Sequence, residues 1–159
     1  MIRVITDGDW DQIIQLQESA YTDLEAEPVN VLRSKWVASP ELCFVCEKDE
    51  KIAAYLLAHS WNSQEPPHLF EELPKQSDGS VLFVHDVVVA KPYSGMGLAS
   101  DLIQHLFSKV TPDQFESALL VAVQNSQSFW KQFGFNPLLD RKADNSYGEN
   151  AVLMNRSVL

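Results

Sequence analysis

A mixed α/β fold is what this sequence predicts, and three observations predict it. Runs with strand character alternate along the chain with segments whose apolar residues recur at helical spacing. One run, "SVLFVHDVVVA" at 80–90, is apolar at all but a few positions, the pattern of a central strand covered on both faces. That run then passes through two closely spaced glycines into a helical segment, in "VVVAKPYSGMGLASDLI" at 87–103. A length of 159 residues suits one domain, 1–159, with a sizeable core.

The elements follow in order. "MIRVI" reads as a short strand, and Thr6 with Asp9 three residues on makes a weak capping box. Trp10, Ile13, Ile14 and Gln17 then fall at helical spacing. Pro28 opens a second helix carrying Val31, Leu32, Lys35 and Trp36, and Pro40 closes it. Residues 42–47 and 51–60 read as a hairpin turning at Lys48–Glu50. Residues 62–79 form a long polar insertion with three prolines and one helical turn expected at "LFEEL". Connections this long are often functional, although a plain surface excursion has the same composition. After the glycines, Ala99, Leu102, Ile103, Leu106 and Phe107 mark one face of a helix. "ALLVAVQ" is a buried strand, "SQSFWKQFGF" a short helix ended by Gly134, and "NAVLMNRSV" a closing strand.

Composition narrows the function. With 22 acidic against 12 basic residues the formal charge is -10, which disfavours nonspecific binding to nucleic acid. No apolar run reaches membrane-spanning length, and the N-terminal stretch lacks a secretory apolar core. A cytoplasmic protein without membrane or nucleic-acid partners, monomeric or homodimeric, is expected. Cys43 and Cys46 have C-x-x-C spacing, but they lie on a strand, where residues three apart face opposite sides. They read as ordinary buried cysteines, and no histidine spacing suggests a metal site.

The glycine turn has the physics of an anion cradle. A helix N-terminus leaves N–H groups unpaired and carries partial positive charge, and glycine lets the backbone approach a ligand. A tight strand-to-helix turn would look the same. The segment is neither a P-loop nor a dinucleotide fingerprint.

Beyond this physics, the segment resembles the acetyl-coenzyme-A signature of the GCN5-related N-acetyltransferases (GNAT). That signature is Gln or Arg, two residues, Gly, one residue, then Gly or Ala, which aligns Ser94, Gly97 and Ala99. Ser94 departs from it. "LLVAVQNSQSFWKQFGF" is similar to the family's second cofactor segment, and the order of elements agrees over essentially the whole chain. "HSWN", "FVHDVVV" and "FWKQFGF" lean toward arylalkylamine N-acetyltransferase-like members.

The resemblance implies the acyl-CoA N-acyltransferase fold, in which the central strand splays from its parallel neighbour and pantetheine enters the gap. Val87 and Val89 would offer backbone groups to it. The N–H groups of Gly95, Met96, Gly97, Leu98 and Ala99 would take the pyrophosphate. Asn125 would face the pantetheine arm, and Ser128 and Phe129 would lie near the cofactor tail. Acetyl-CoA is the implied cosubstrate, no metal is implied, and the acceptor would be a small-molecule primary amine.

Amine acetylation benefits from a proton acceptor, since an alkylammonium with pKa about 10 holds little free base at neutral pH. His85, inside an apolar strand, is the base candidate; a structural core histidine is the competing reading. The resemblance implies a proton-relay role at this position, with Phe83 standing where a second relay histidine would fall. Asp86 should face away from His85 on a regular strand and is a candidate for binding loop backbone or a cationic substrate. Trp130 occupies the place of the family's thiolate-protonating tyrosine, and Tyr147 is a candidate substitute. Tyr21, Glu25 and Trp61 are candidates for the substrate wall. The competing function is a non-catalytic acyl-CoA sensor or partner module.

Overall fold

The computed structural model describes residues 1–21, 26–74, 78–143, 145–148 and 150–158. Its strands are β1 (Ile2–Val4), β2 (Phe44–Lys48), β3 (Lys51–Trp61), β4 (Val81–Val89), β5 (Ser117–Ala122), β6 (Asn136–Pro137) and β7 (Val152–Ser157). Its α-helices are α1 (Trp10–Ala20), α2 (Val29–Ala38), α3 (Leu98–Lys109) and α4 (Gln127–Lys131). The seven strands form one sheet in the order β1-β2-β3-β4-β5-β7-β6. β4 and β5 run parallel, and the other neighbours run antiparallel.

Helices cover both faces, as the apolar runs require. On one face α3 buries Leu102, Ile103 and Leu106 against Phe44, Leu56 and Leu82. Each such side chain contributes roughly 1.5–3 kcal/mol of transfer free energy. On the other face α1 and α2 bring Trp10, Ile13 and Leu32 against Val45, Tyr55, Leu57 and Val88. Cys43 and Cys46 are free thiols, one in each of these two cores, as the strand spacing requires. Burial pushes the Cys43 thiol up to about 12, which keeps it inert.

The hairpin between β2 and β3 turns through Asp49 and Glu50, both at positive φ (54° and 64°), with Lys48 opposite Lys51. That conformation twists with the strands it joins. Thr6 N–H donates to the Asp9 carboxylate at 2.8 Å, so the capping pair forms ahead of α1. α4 ends earlier than expected, at Lys131 with Gln132 as its C-cap. Gly134, at φ 87°, lies in the turn that follows, its N–H donating to the Lys131 carbonyl at 3.1 Å.

Two expectations need correction. "LFEEL" forms no helical turn; residues 69–73 are irregular and draw their backbone partners from side chains elsewhere. β6, a two-residue edge pairing that contains Pro137, went unforeseen, because so short a strand leaves no periodic signal.

Two features of β4 position the site. Its parallel pairing with β5 covers Val81–Phe83 and stops. Beyond Phe83, β4 continues beside β3 to Val89, while β5 continues beside β7 to Ala122. An opening therefore separates the two parallel strands. The register with β3 also slips there: Leu57 pairs with Asp86 and Ala58 with Val84. His85 is the extra residue of a β-bulge.

Candidate functional site

The bulge decides which way the polar residues of β4 face. In a regular strand His85 and Asp86 would point to opposite sides. The unpaired extra residue breaks the alternation, and both side chains line the same cavity, of about 350 Å³. The expectation that Asp86 faces away from His85 is corrected on this ground.

Glu27 completes the polar end of that cavity. Its backbone is clamped by the buried Gln17 of α1: Gln17 Nε2 donates to the Glu27 carbonyl at 3.1 Å, and Glu27 N–H donates to Gln17 Oε1 at 3.2 Å. Its side chain accepts from His85 Nε2 at 2.6 Å and from Phe70 N–H at 3.0 Å. Lys35 Nζ, also buried, stands 3.8 Å from Glu27 Oε2. Burial opposes the negative charge of Glu27, but His85, Lys35 and the Phe70 N–H outweigh it and hold the carboxyl at about 2. Glu27 is therefore ionised at neutral pH. A carboxylate only accepts, so Nε2 of His85 carries the proton of that bond and Nδ1 is the remaining site. Among the described residues Nδ1 is buried without a hydrogen-bond partner.

Asp86 is held differently. The phenol of Tyr21 donates to its Oδ1, and that of Tyr55 donates to Oδ2 at 2.5 Å. Burial raises the Asp86 pKa, countered by His85 and by the two phenols. Burial and the nearby Asp86 carboxylate raise the Tyr21 pKa well above its ordinary value. Asp86 thus fixes the ring of Tyr21, which lines both this cavity and the opening beside it.

That second opening, of about 230 Å³, lies between β4 and β5 beyond their last pairing, bordered by Val87, Ala99, Phe129 and Trp130. His85 lines both spaces. Ala90 N–H donates to Ala53 on β3 at 2.8 Å, and strand alternation then turns the backbone groups of Val87 and Val89 toward the opening. At the end of β4, Gly95 and Gly97 have φ 80° and 79°, and a Cβ at either would meet nothing within 4 Å. These glycines serve backbone conformation and leave the α3 N-terminus clear at Gly95, Met96, Gly97, Leu98 and Ala99. Ser94 is exposed, its Oγ donating locally to the Lys91 carbonyl at 2.7 Å. Asn125 follows Gln124 in a left-handed pair (φ 60° and 52°) at the end of β5. Asn125 and Ser128 are exposed and do not line the opening, which their neighbours Gln124, Ser126 and Phe129 border instead.

Other nominated residues fall as follows. Tyr147 is buried, lines the larger cavity and donates from its phenol to the Pro67 carbonyl. Trp61 lines neither space; its indole N–H donates to the Glu65 carbonyl at 2.8 Å, and its ring packs on His59. Glu25 lies outside the described residues. Sequence reasoning missed Glu27. Its signals were Gln17 and Lys35, polar residues on the core-facing stripes of α1 and α2. Among the described residues no group of three or more His, Cys, Asp or Glu gathers as a metal site. Nor, among the described residues, is any helix long and apolar enough to cross a membrane.

Residues 10–135 match the model of a family described as the Acetyltransferase (GNAT) family. No curated protein sequence matches the chain. Among solved structures, Ard1 from Thermoplasma volcanium is 18% identical with a TM-score of 0.76, over 100% of this chain and 97% of that one. The ribosomal-protein-S18-alanine N-acetyltransferase from Escherichia coli is 14% identical with a TM-score of 0.72, over 99% and 93%. GphF, a GNAT-like decarboxylase in complex with isobutyryl-CoA, is 13% identical with a TM-score of 0.78, over 100% of both chains. At these identities the likeness is one of fold.

Proposed function

Because the chain belongs to the acetyltransferase (GNAT) family, we propose that it moves the acetyl group of acetyl-CoA to the primary amine of a small molecule, by direct attack on the thioester. The observation that carries this reading is that His85 borders two spaces at once. One is the opening between β4 and β5; the other is the cavity that also holds Glu27. A thioester in the first and an amine in the second would meet at one side chain.

Acetyl-CoA would supply an activated carbonyl. The residues of this chain supply the rest. Val87 and Val89 offer backbone groups to the pantetheine arm, and the N–H groups of 95–99 offer donors and partial positive charge to the pyrophosphate. His85 takes the proton from the amine nitrogen at Nδ1 as the C–N bond forms and the C–S bond breaks. Ionised Glu27 stabilises the imidazolium from Nε2. Tyr21, fixed by Asp86, stands where the two spaces join.

A sensor that binds acyl-CoA without turnover is the second reading. It is favoured by Trp130, whose buried indole has no acid function where the family's tyrosine would stand. The test is release of free coenzyme A thiol from acetyl-CoA with a panel of aromatic amines, polyamines, amino acids and peptide N-termini. Sustained release with one class supports transfer. Coenzyme A binding without release under any amine supports the sensor.

A further inference from the structure

Leu69 and Phe70, from the insertion after β3, line the amine cavity, and Phe70 is unusual. Phe70 has φ 69°, a left-handed backbone that bulky L residues rarely adopt. Such strain persists only where the surroundings over-determine it, and it clusters at functional sites.

The surroundings do so here. Phe70 N–H donates to Glu27 Oε2 at 3.0 Å, and Leu69 N–H to Ser146 Oγ at 3.1 Å. Leu73 N–H donates to Ser34 Oγ at 2.9 Å, and Lys35 Nζ reaches the Glu71 carbonyl at 3.4 Å. Four bonds thus pin an irregular stretch of five residues. Phe70 is not spent on the core: the residue is 38% exposed and lines the same cavity as His85 and Glu27. It stands at the rim, with water over part of its surface.

We propose that Phe70 is a specificity-determining residue of the amine cavity, its ring closing over the body of the bound amine. The inference rests on the acetyl-transfer reading for its substrate and on the geometry for its residue. Covering a partly exposed phenylalanine with apolar ligand surface removes both from water, so affinity rises with the apolar length of the amine. The Glu27 carboxylate accepts from both the Phe70 N–H and His85, so the rim ring and the base share one anchor. Glu27 and Asp86 both border the cavity, and an amine carrying its own carboxylate would meet like charge there.

The test measures binding of ethylamine, butylamine and hexylamine to the protein saturated with coenzyme A, by isothermal titration. Thiol release from acetyl-CoA is followed in parallel. Wild type is compared with Phe70→Ala, which removes the ring, and Phe70→Gly, which also releases the strained φ. The expected result is tightening of up to about fourfold per added methylene in wild type, with a flatter dependence in both variants. Coenzyme A affinity and circular dichroism stay unchanged. An equal chain-length dependence in all three proteins overturns the proposal, and so does an equal loss at every chain length. If amines bind with the expected slopes but no thiol appears, the transfer reading fails while the assignment of Phe70 stands. If no amine binds to wild type, both fail.

Discussion

His85 Nε2 lies 2.6 Å from Glu27 Oε1, and both side chains are almost closed to solvent. The geometry makes Glu27 the acceptor and leaves Nδ1 without a hydrogen-bond partner among the described residues; the proposed transfer assigns the amine's proton to that nitrogen. Replacing Glu27 by Gln keeps an oxygen for the Nε2–H bond but removes the charge that stabilises an imidazolium. The expected loss in kcat/KM is about 10- to 100-fold, and His85→Gln should cost a similar factor. Residues that act as a unit are not additive. The double variant should therefore lose no more than the worse single one. Steady-state thiol release at pH 7 on the best amine checks this. A double variant that loses the product of the two factors would separate the residues.

Much of this architecture was legible because periodicity is local. The apolar stripes of α1 and α3, the hairpin at Asp49–Glu50 and the strand-glycine-helix passage at 87–103 are each read from a short window. What was not legible depends on register. Nothing in "FVHDVVV" says that His85 is an extra residue opposite Leu57 and Ala58; that follows from how β4 meets β3. Asp86 was therefore assigned to the wrong face. Glu27 was hidden for a related reason. It sits in a connection with no period, and its importance comes from partners on other parts of the fold: Gln17 on α1, Lys35 on α2, Phe70 and His85. The nomination of Glu25 fell two residues short of it. Gln17 and Lys35 on core-facing stripes were the visible trace, since a buried polar side chain implies a buried partner.

The turn at Gly97 makes a prediction about the cofactor alone. A Cβ at this position meets nothing within 4 Å, so Gly97→Asp should leave the packing of the fold intact. Its φ of 79° is one that Asp tolerates better than most residues. The new carboxylate would stand at the α3 N-terminus, where the pyrophosphate is expected. Like-charge repulsion and competition for the same N–H groups should weaken coenzyme A binding by about tenfold or more. Isothermal titration beside circular dichroism decides it. Unchanged affinity in a folded variant would remove the turn from the cofactor site.

His59 gives a stability prediction with a definite sign. It is fully buried, with Nδ1 2.9 Å from the Ser60 carbonyl. Burial lowers its pKa, helped by nearby His85 and Lys35 and opposed by the bond to Ser60, to about 3. An unfolded histidine takes up a proton near pH 6.5. Between those values the unfolded state binds a proton that the folded state does not, so stability falls as pH is lowered through that window. The slope from this group is at most about 1.4 kcal/mol per pH unit. Glu27 adds a loss of the same sign, but in a lower window, from about 4.5 down to about 2. Urea unfolding at several points from pH 5 to 6.5 lies above the Glu27 window. There His105, lowered by burial, adds a loss of the same sign, and Asp86, raised by burial, one of the opposite sign. The reading is therefore the difference between wild type and a variant without His59. His59→Phe should flatten the dependence whatever its absolute stability. Identical slopes in the two proteins would show that His59 is not held neutral.

Trp130 tests whether the departing thiolate needs an acid. The indole is buried, 5.1 Å from the Phe129 ring and 5.7 Å from the Phe135 ring, centre to centre, and Trp130 borders the opening between β4 and β5. It has no proton to give at neutral pH. A thiol with a pKa near that of cysteine, about 8.5, leaves as its anion at modest cost near neutrality, so transfer does not require a donor. Trp130→Tyr supplies a phenol at this place. It also removes ring surface from the apolar cluster and brings in a hydroxyl that needs a partner, at a cost of about 1–3 kcal/mol. The expected outcome is a lower melting temperature with kcat at pH 7.5 changed by less than about threefold, well short of a general-acid effect. A tenfold gain in kcat would mean that loss of the thiolate limits turnover and that the missing acid matters. Inactivity in both proteins, with coenzyme A still bound, would turn the assignment to the sensor. The measurement is a pre-steady-state and steady-state comparison of thiol release, with coenzyme A affinity as the control for an intact cofactor site.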